Sequence, residues 1–203
     1  LCLRALKKHP CLGETFRAVQ FPDTHSKSRQ AVGTETLLGP RVEEHVIGLI
    51  KDPRGPSHIH LRPPTSLFNH NLREIVYQLT PGNRSQKFLL AASLSKMTAR
   101  LAHLAVHQGK TFSLEHPRDS TLFHMPDLIK VPSLPQVFAV LVDQCMYGLQ
   151  SSSGVPGKKI RAPMKIITHC LALRSLGRAC DSSHDHYYNQ KGRPAPPLPP
   201  SLI

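Results

Sequence analysis

His58-Ile59-His60-Leu61-Arg62-Pro63-Pro64-Thr65, Thr111-Phe112-Ser113-Leu114-Glu115-His116-Pro117 and Val140-Leu141-Val142-Asp143-Gln144-Cys145-Met146-Tyr147-Gly148 decide the fold class of this chain. Each is a short apolar run ending in polar or turn-forming residues, as when strands of one sheet deliver loops to a common edge. Between the first two lies the clearest helix, Lys87 to Gln108. Leu89, Leu90, Leu94, Met97, Leu101, Leu104 and Ala105 fall largely on one face, and Lys96, Arg100 and His103 on the other. Gly109 is a fitting stop. A second helix is expected over Arg41 to Lys51, where Val42, Val46, Ile47 and Ile50 keep helical spacing, and Asp52-Pro53-Arg54-Gly55-Pro56 ends it.

Weaker signals complete the pattern. Thr15 to Phe21 and Met164 to Thr168 read as strands, Asn71 to Leu79 and His169 to Leu176 as short helices. The near-continuous apolar run Val137 to Val142 carries the mark of a buried strand in a parallel sheet. Alternating strands and helices over 15–170 predict an α/β fold: a Rossmann-like, mainly parallel sheet with flanking helices and a ligand crevice at the carboxyl ends of its strands. One α/β domain is expected over 1–188, its first 45 residues weakly defined. Pro194 to Pro200 mark 189–203 as a disordered or polyproline II tail.

Twenty-six Lys and Arg stand against 13 Asp and Glu in 203 residues, a formal net charge of +13. A field of that sign attracts polyanions, nucleic acid first, through counterion release. The five cysteines, Cys2, Cys11, Cys145, Cys170 and Cys180, are odd in number and widely spaced, unlike a secreted disulfide framework. No apolar run approaches the ~20 residues of a membrane span, and charged residues interrupt the first twelve. An intracellular location, nuclear or cytoplasmic, is expected. The start at Leu1 suggests a piece of a longer reading frame.

The order of the three opening motifs is similar to the cytosine-C5 methyltransferase plan, in which a Pro-Pro-Cys loop and a Glu-Asn-Pro/Val loop form the pocket. It resembles more closely the methyltransferase-like segment of copia-type retroelement polyproteins. There a Glu-His-Pro loop, an Asp-Gln-Cys-Met-Tyr-Gly strand end and a Cys…His-x-His tail recur in this order. The match covers roughly residues 57–192 and is strongest over Asp143 to Gly148. The resemblance implies that Thr65 stands at the nucleophile position and Glu115 at the position of the acid that holds the pyrimidine edge. A threonine hydroxyl is far less acidic than a thiol and has no visible adjacent base, so the resemblance implies ancestry without methyl transfer. Asp23, just after the first strand, is placed like the acid that holds a cofactor ribose; a turn-capping role is the other reading. S-adenosylmethionine is the cofactor the resemblance implies, but no Gly-rich loop is present.

A second constellation is Cys145, Cys180, His184 and His186. Cys180-x3-His184-x-His186 puts two imidazoles on one side of an extended segment, and Cys145 at a strand end supplies a fourth donor for a Cys2His2 zinc site. The alternative is a packed Cys145 with solvated histidines. Lys158, Lys159, Arg161 and Lys165 form a basic cluster beside the pocket, either a solvated face or a contact for nucleic-acid phosphates. The expected function is that of a retroelement-derived, methyltransferase-like domain without activity that retains nucleic-acid binding. An S-adenosylmethionine-dependent enzyme, a zinc-stabilised interaction module and a degenerate fragment remain alternatives.

Overall fold

A computed structural model describes residues 17–20, 40–68, 85–150 and 158–187. The expected helix over Asn71 to Leu79, Asp23 and the tail 189–203 lie outside the described residues. The elements are β1 (Arg17–Gln20), α1 (Pro40–Lys51), β2 (His58–Arg62), α2 (Gln86–His107), β3 (Thr111–Pro117), β4 (Phe138–Asp143) and β5 (Pro163–Thr168). One sheet takes all five strands, in the order β1-β2-β3-β5-β4.

The sheet is mixed. β1–β2 and β2–β3 pair parallel, whereas β3–β5 and β5–β4 pair antiparallel. The expectation of a mainly parallel sheet is corrected to this extent, and β5 lies between β3 and β4. The reason lies in the connection. A parallel return needs a crossover of a dozen or more residues, usually a helix. The segment from Gln144 to Ala162 carries Ser151-Ser152-Ser153-Gly154 and Pro156-Gly157 instead of a helical pattern, so the chain turns back antiparallel. β5 is also the more deeply buried strand: Ile166 and Ile167 are both buried, one on each face. β4 is the sheet's edge, with Val140 and Val142 buried but Leu141 49% exposed.

Alternation along each strand assigns two faces. Ile59 and Leu61 of β2, Phe112 and Leu114 of β3, and Ile167 of β5 share the larger core with Leu94, Met97, Leu101 and Ala105 of α2 and Val46 and Ile50 of α1. Leu89, expected on that stripe, lies nearly half exposed at the start of α2. The connection from β3 to β4 crosses the same face as two 3-10 turns, Thr121–His124 and Leu128–Ser133, which add Leu122, Leu128 and Val131 to this core. On the opposite face Val140, Val142, Met164 and Ile166 pack with Leu173 and Leu176. Leu173 and Leu176 belong to Leu171–Leu176, which forms 3-10 turns where an α-helix was expected.

Helix ends are secured locally. Ser85 Oγ accepts the Phe88 amide at 3.2 Å to start α2, and Gly109, at φ +67°, ends it. The α1 carboxyl end is closed from β3: the buried Lys110 ammonium donates to the carbonyls of Leu49 (3.2 Å) and Asp52 (2.7 Å). A Cβ at Gly55 would meet the Leu49 carbonyl oxygen at 2.2 Å, so no larger residue fits there without backbone movement.

Two glycines in and after α1 therefore behave oppositely. Gly55→Ala is expected to cost about 1–3 kcal/mol, as overpacking against fixed backbone does. Gly48→Ala, exposed within α1 and with nothing within 4 Å of the new methyl, is expected to gain about 0.5–1 kcal/mol. Urea unfolding of the two variants beside the parent measures both signs.

Candidate metal centre and buried polar ladder

Register brings the motifs to one edge. Pro117 of β3 is level with Met164 of β5, and Met164 with Val142 of β4. The carboxyl ends of β2, β3 and β4 thus share an edge with the amino end of β5. Arg62-Pro63-Pro64-Thr65, Glu115-His116-Pro117, Asp143-Gln144-Cys145 and the lead-in from Lys158 to Ala162 all open there. Thr65 and Cys145 stand on opposite halves of it, about 14 Å apart as three strand spacings.

Cys145 follows β4 directly, in the 3-10 turn Gln144–Tyr147, and is fully buried. The segment bearing the other donors is laced to the sheet by its backbone. The Asp143 amide donates to the Arg178 carbonyl at 2.9 Å, and the Asp143 carboxylate accepts the Cys180 amide at 2.7 Å. Further on, the Lys159 amide donates to Asp185 O (3.1 Å) and the Tyr187 amide to Lys159 O (2.8 Å). Between these anchors the chain reverses at Ser182, whose φ is +61°, with its amide donating to Cys180 Sγ at 3.4 Å.

The result is a group of four donors. One ligand atom each from Cys145, Cys180, His184 and His186 lies within 4.8 Å of the others. Cys180 Sγ is 3.8 Å from His184 Nε2 and 3.4 Å from His186 Nε2. A tetrahedral zinc ion with bonds of ~2.3 Å to sulfur and ~2.0–2.1 Å to nitrogen sets its sulfur–nitrogen edges at about 3.5 Å. These two edges straddle that value, and the whole group, within 4.8 Å, could hold a metal ion once its wider edges close. Burial pushes the Cys145 thiol up to about 11, and the Cys180 sulfur and Asp143 add to it. A bound cation would reverse that bias by taking the thiolate as ligand.

The basic cluster is divided. Lys158, Lys159 and Arg161 line the approach to the four donors and are partly exposed. Lys165 points to the α2 face, where its ammonium sits 4.7 Å above the Phe123 ring.

A second polar assembly spans β2 and β3. His58 Nδ1 lies 2.7 Å from Thr111 Oγ1, and His58 Nε2 2.9 Å from Ser113 Oγ. Ser113 Oγ lies 2.8 Å from His60 Nδ1, and His60 Nε2 3.4 Å from Glu115 Oε2. His58, His60, Ser113 and Glu115 are all buried. The Thr111 hydroxyl also donates to the Ser57 carbonyl at 3.2 Å, which gives the chain a direction. With that proton spent on Ser57, Thr111 accepts from His58 Nδ1, and a neutral His58 accepts the Ser113 proton at Nε2. Ser113 then accepts from His60 Nδ1, and the His60 ring turns its Nε2 toward the Glu115 carboxylate at 3.4 Å. Glu115 suits that partner. Burial pushes its carboxyl up, but the hydrogen bond and charge of His60, with Arg62 nearby, outweigh it and hold the group below its ordinary value.

The sequence reading named Glu115 but not His58, His60 or Ser113. The signal was present: His-x-His in β2 and Thr-x-Ser-x-Glu in β3 place polar groups at period two on one face. Glu115 is turned inward to His60, while Thr65 is half-buried in a 3-10 turn above β2. His116 faces the other way, edge-on to Phe68 at 5.5 Å and to Phe123 at 6.3 Å.

Among the described residues no helix is long and apolar enough to cross a membrane. No family model, curated protein or solved structure matches the chain.

Two histidines make the fold sensitive to acid. Burial lowers His58 to about 4, with His60 and His169 adding to the effect. Burial lowers His116 to about 3, with Arg62 adding and the Pro63 carbonyl and Glu115 opposing. Both bind protons more readily unfolded than folded, so stability present above pH 6.5 is lost as pH falls toward about 4 and about 3 respectively. Each group contributes on the order of a few kcal/mol across its window. His116→Phe, which suits the Phe68/Phe123 surroundings, is expected to flatten that acid limb in a pH series of thermal melts; an unchanged limb would refute the assignment.

Proposed function

We propose that this chain is a zinc-clamped, methyltransferase-like α/β domain of retroelement descent that binds nucleic acid and does not transfer methyl groups. The convergence of Cys145, Cys180, His184 and His186 carries the proposal. Four protein donors close the coordination sphere, as structural zinc requires, whereas catalytic zinc keeps a position open for water. Two thiolates with two imidazoles favour zinc over the hard cations that prefer oxygen. The metal would fasten residues 178–187 to the end of β4, replacing apolar burial that a chain with 5% aromatic residues and no tryptophan has little of.

The Rossmann-like ancestry is supported by the meeting of the Pro-Pro-Thr, Glu-His-Pro and Asp-Gln-Cys motifs at one sheet edge. Loss of methyl transfer is supported by Thr65, because covalent addition to C6 of a pyrimidine needs a thiolate, and a threonine hydroxyl is far less acidic than a thiol. Nucleic-acid binding rests on the +13 charge and on Lys158, Lys159 and Arg161 at the same edge as the metal donors. One observation favours an enzyme as the second reading: the buried Ser113–His60–Glu115 line has the residue types of an acid–base relay.

Purified chain is expected to carry one zinc per molecule, and a chelator to lower its melting temperature. Cys180→Ala should abolish the metal and that chelator effect together. No bound metal, or a melt indifferent to chelation, overturns the clamp. Incubation with a duplex containing 5-fluorocytosine and S-adenosylmethionine is expected to trap no covalent adduct; a trapped adduct would establish the enzyme reading. Binding to nucleic acid should weaken steeply with salt, and Lys158→Glu with Lys159→Glu should reduce the slope of log affinity against log salt. A salt-independent affinity would count against an electrostatic contact.

A further inference from the structure

Two arginines beyond the basic cluster are held in a way that surface charges usually are not. Arg174 lies over the Phe138 ring, its guanidinium carbon 4.9 Å from the centroid, and Arg178 lies over Tyr147 at 5.4 Å. Both arginines are exposed. Among the described residues neither makes an ion pair. Tyr147 is fixed in turn, its hydroxyl donating to the Leu176 carbonyl at 2.9 Å. A guanidinium held over a ring by cation–π attraction is already partly ordered, so it loses less freedom when its N–H donors take a phosphate. The Asp143 carboxylate, at the end of β4 where Arg178 is bridged, accepts the Cys180 amide.

We propose that Arg174 and Arg178 form a phosphate-gripping pair for a nucleic-acid strand, and that the metal centre holds Arg178 in place. This rests on the nucleic-acid reading above and adds the contact residues and their dependence on metal. The link to the metal is covalent and short. Arg178 bridges Val142 in parallel register, its carbonyl accepts the Asp143 amide, and Cys180 lies two residues on. Arg174 belongs to 3-10 turns that the smaller core holds through Leu173 and Leu176, so it does not depend on the metal. At ~2 Å per residue in such turns and ~3.3 Å in extended chain, the two positions lie no more than about 11 Å apart. That reach is about three nucleotides at ~3.4 Å each.

The test uses the zinc-loaded full chain and a fluorescein-labelled single-stranded 20-nucleotide DNA, read by fluorescence anisotropy from about 50 to 300 mM salt. Arg174→Gln with Arg178→Gln is expected to weaken binding several-fold and to reduce the slope of log affinity against log salt by about 1.4, two phosphate contacts at ~0.7 each. Arg178→Lys, which keeps the charge and loses the guanidinium's fork of donors, should keep the slope and lose part of the affinity. Chelation should bring the parent to the level of Arg178→Gln and leave that variant unchanged. A parental slope in the double glutamine variant overturns the pair, as does an equal effect of chelation on parent and Arg178→Gln. Loss of slope only in the Lys158/Lys159 variants also overturns it, while leaving nucleic-acid binding intact. Failure of the parent to bind DNA at low salt removes the broader reading as well, and equal affinity for polyglutamate removes phosphate as the ligand.

Discussion

The burial of β5 on both of its faces is the constraint on which the arrangement turns. Ile166 and Ile167 are consecutive, so they point to opposite sides of the sheet, and both are sealed from solvent. A strand flanked by two neighbours and covered above and below achieves that along its length. Once β5 is interior, its partners are fixed as β3 on one side and β4 on the other. Its amino end must then lie beside the carboxyl ends of both. That single placement carries the basic lead-in, the Glu-His-Pro turn and the strand end bearing Cys145 to the same rim.

Much of this was legible in the residues, though unevenly. α1, α2 and the core strands fall close to where apolar periodicity and glycine stops put them, because those signals are local. The order of strands was not legible. The apolar run ending at Val142 reads as an interior strand, yet it is β4 at the edge, where Leu141 is half exposed. A run of apolar residues reports how much greasy surface a strand has, not how many neighbours cover it. The sequence between β4 and β5 carried the missing information, since it lacks the apolar periodicity of a crossover helix.

The two polar assemblies show the same contrast at finer scale. Cys180-x3-His184-x-His186 announces a donor group within one segment, but the fourth donor lies 35 residues upstream by its number. No spacing rule joins Cys145 to that tail; only the pairing of Asp143 with Arg178 and Cys180 does. The ladder through His58, Ser113 and His60 is a property of register. A shift of β2 against β3 by one residue would turn the imidazoles into the α2 core and leave the hydroxyls on the other side. Hydrogen bonds join His58, Ser113 and His60 in turn, which is how a chain of polar groups is tolerated in an interior.

The pairing of Val142 with Arg178 also bears on how the molecule keeps to itself. β4 is an edge strand, and an uncovered edge offers its unpaired amides and carbonyls to any other extended chain. Residues 178–180 cap the carboxyl end of that edge, engaging the Asp143 amide. With the segment fastened by its thiolate and imidazole donors, the rim is blunted; with it released, the strand end and the exposed Leu141 beside it become a template for strand addition. On the function proposed above, the donor group would thus also shield the β4 rim from strand addition.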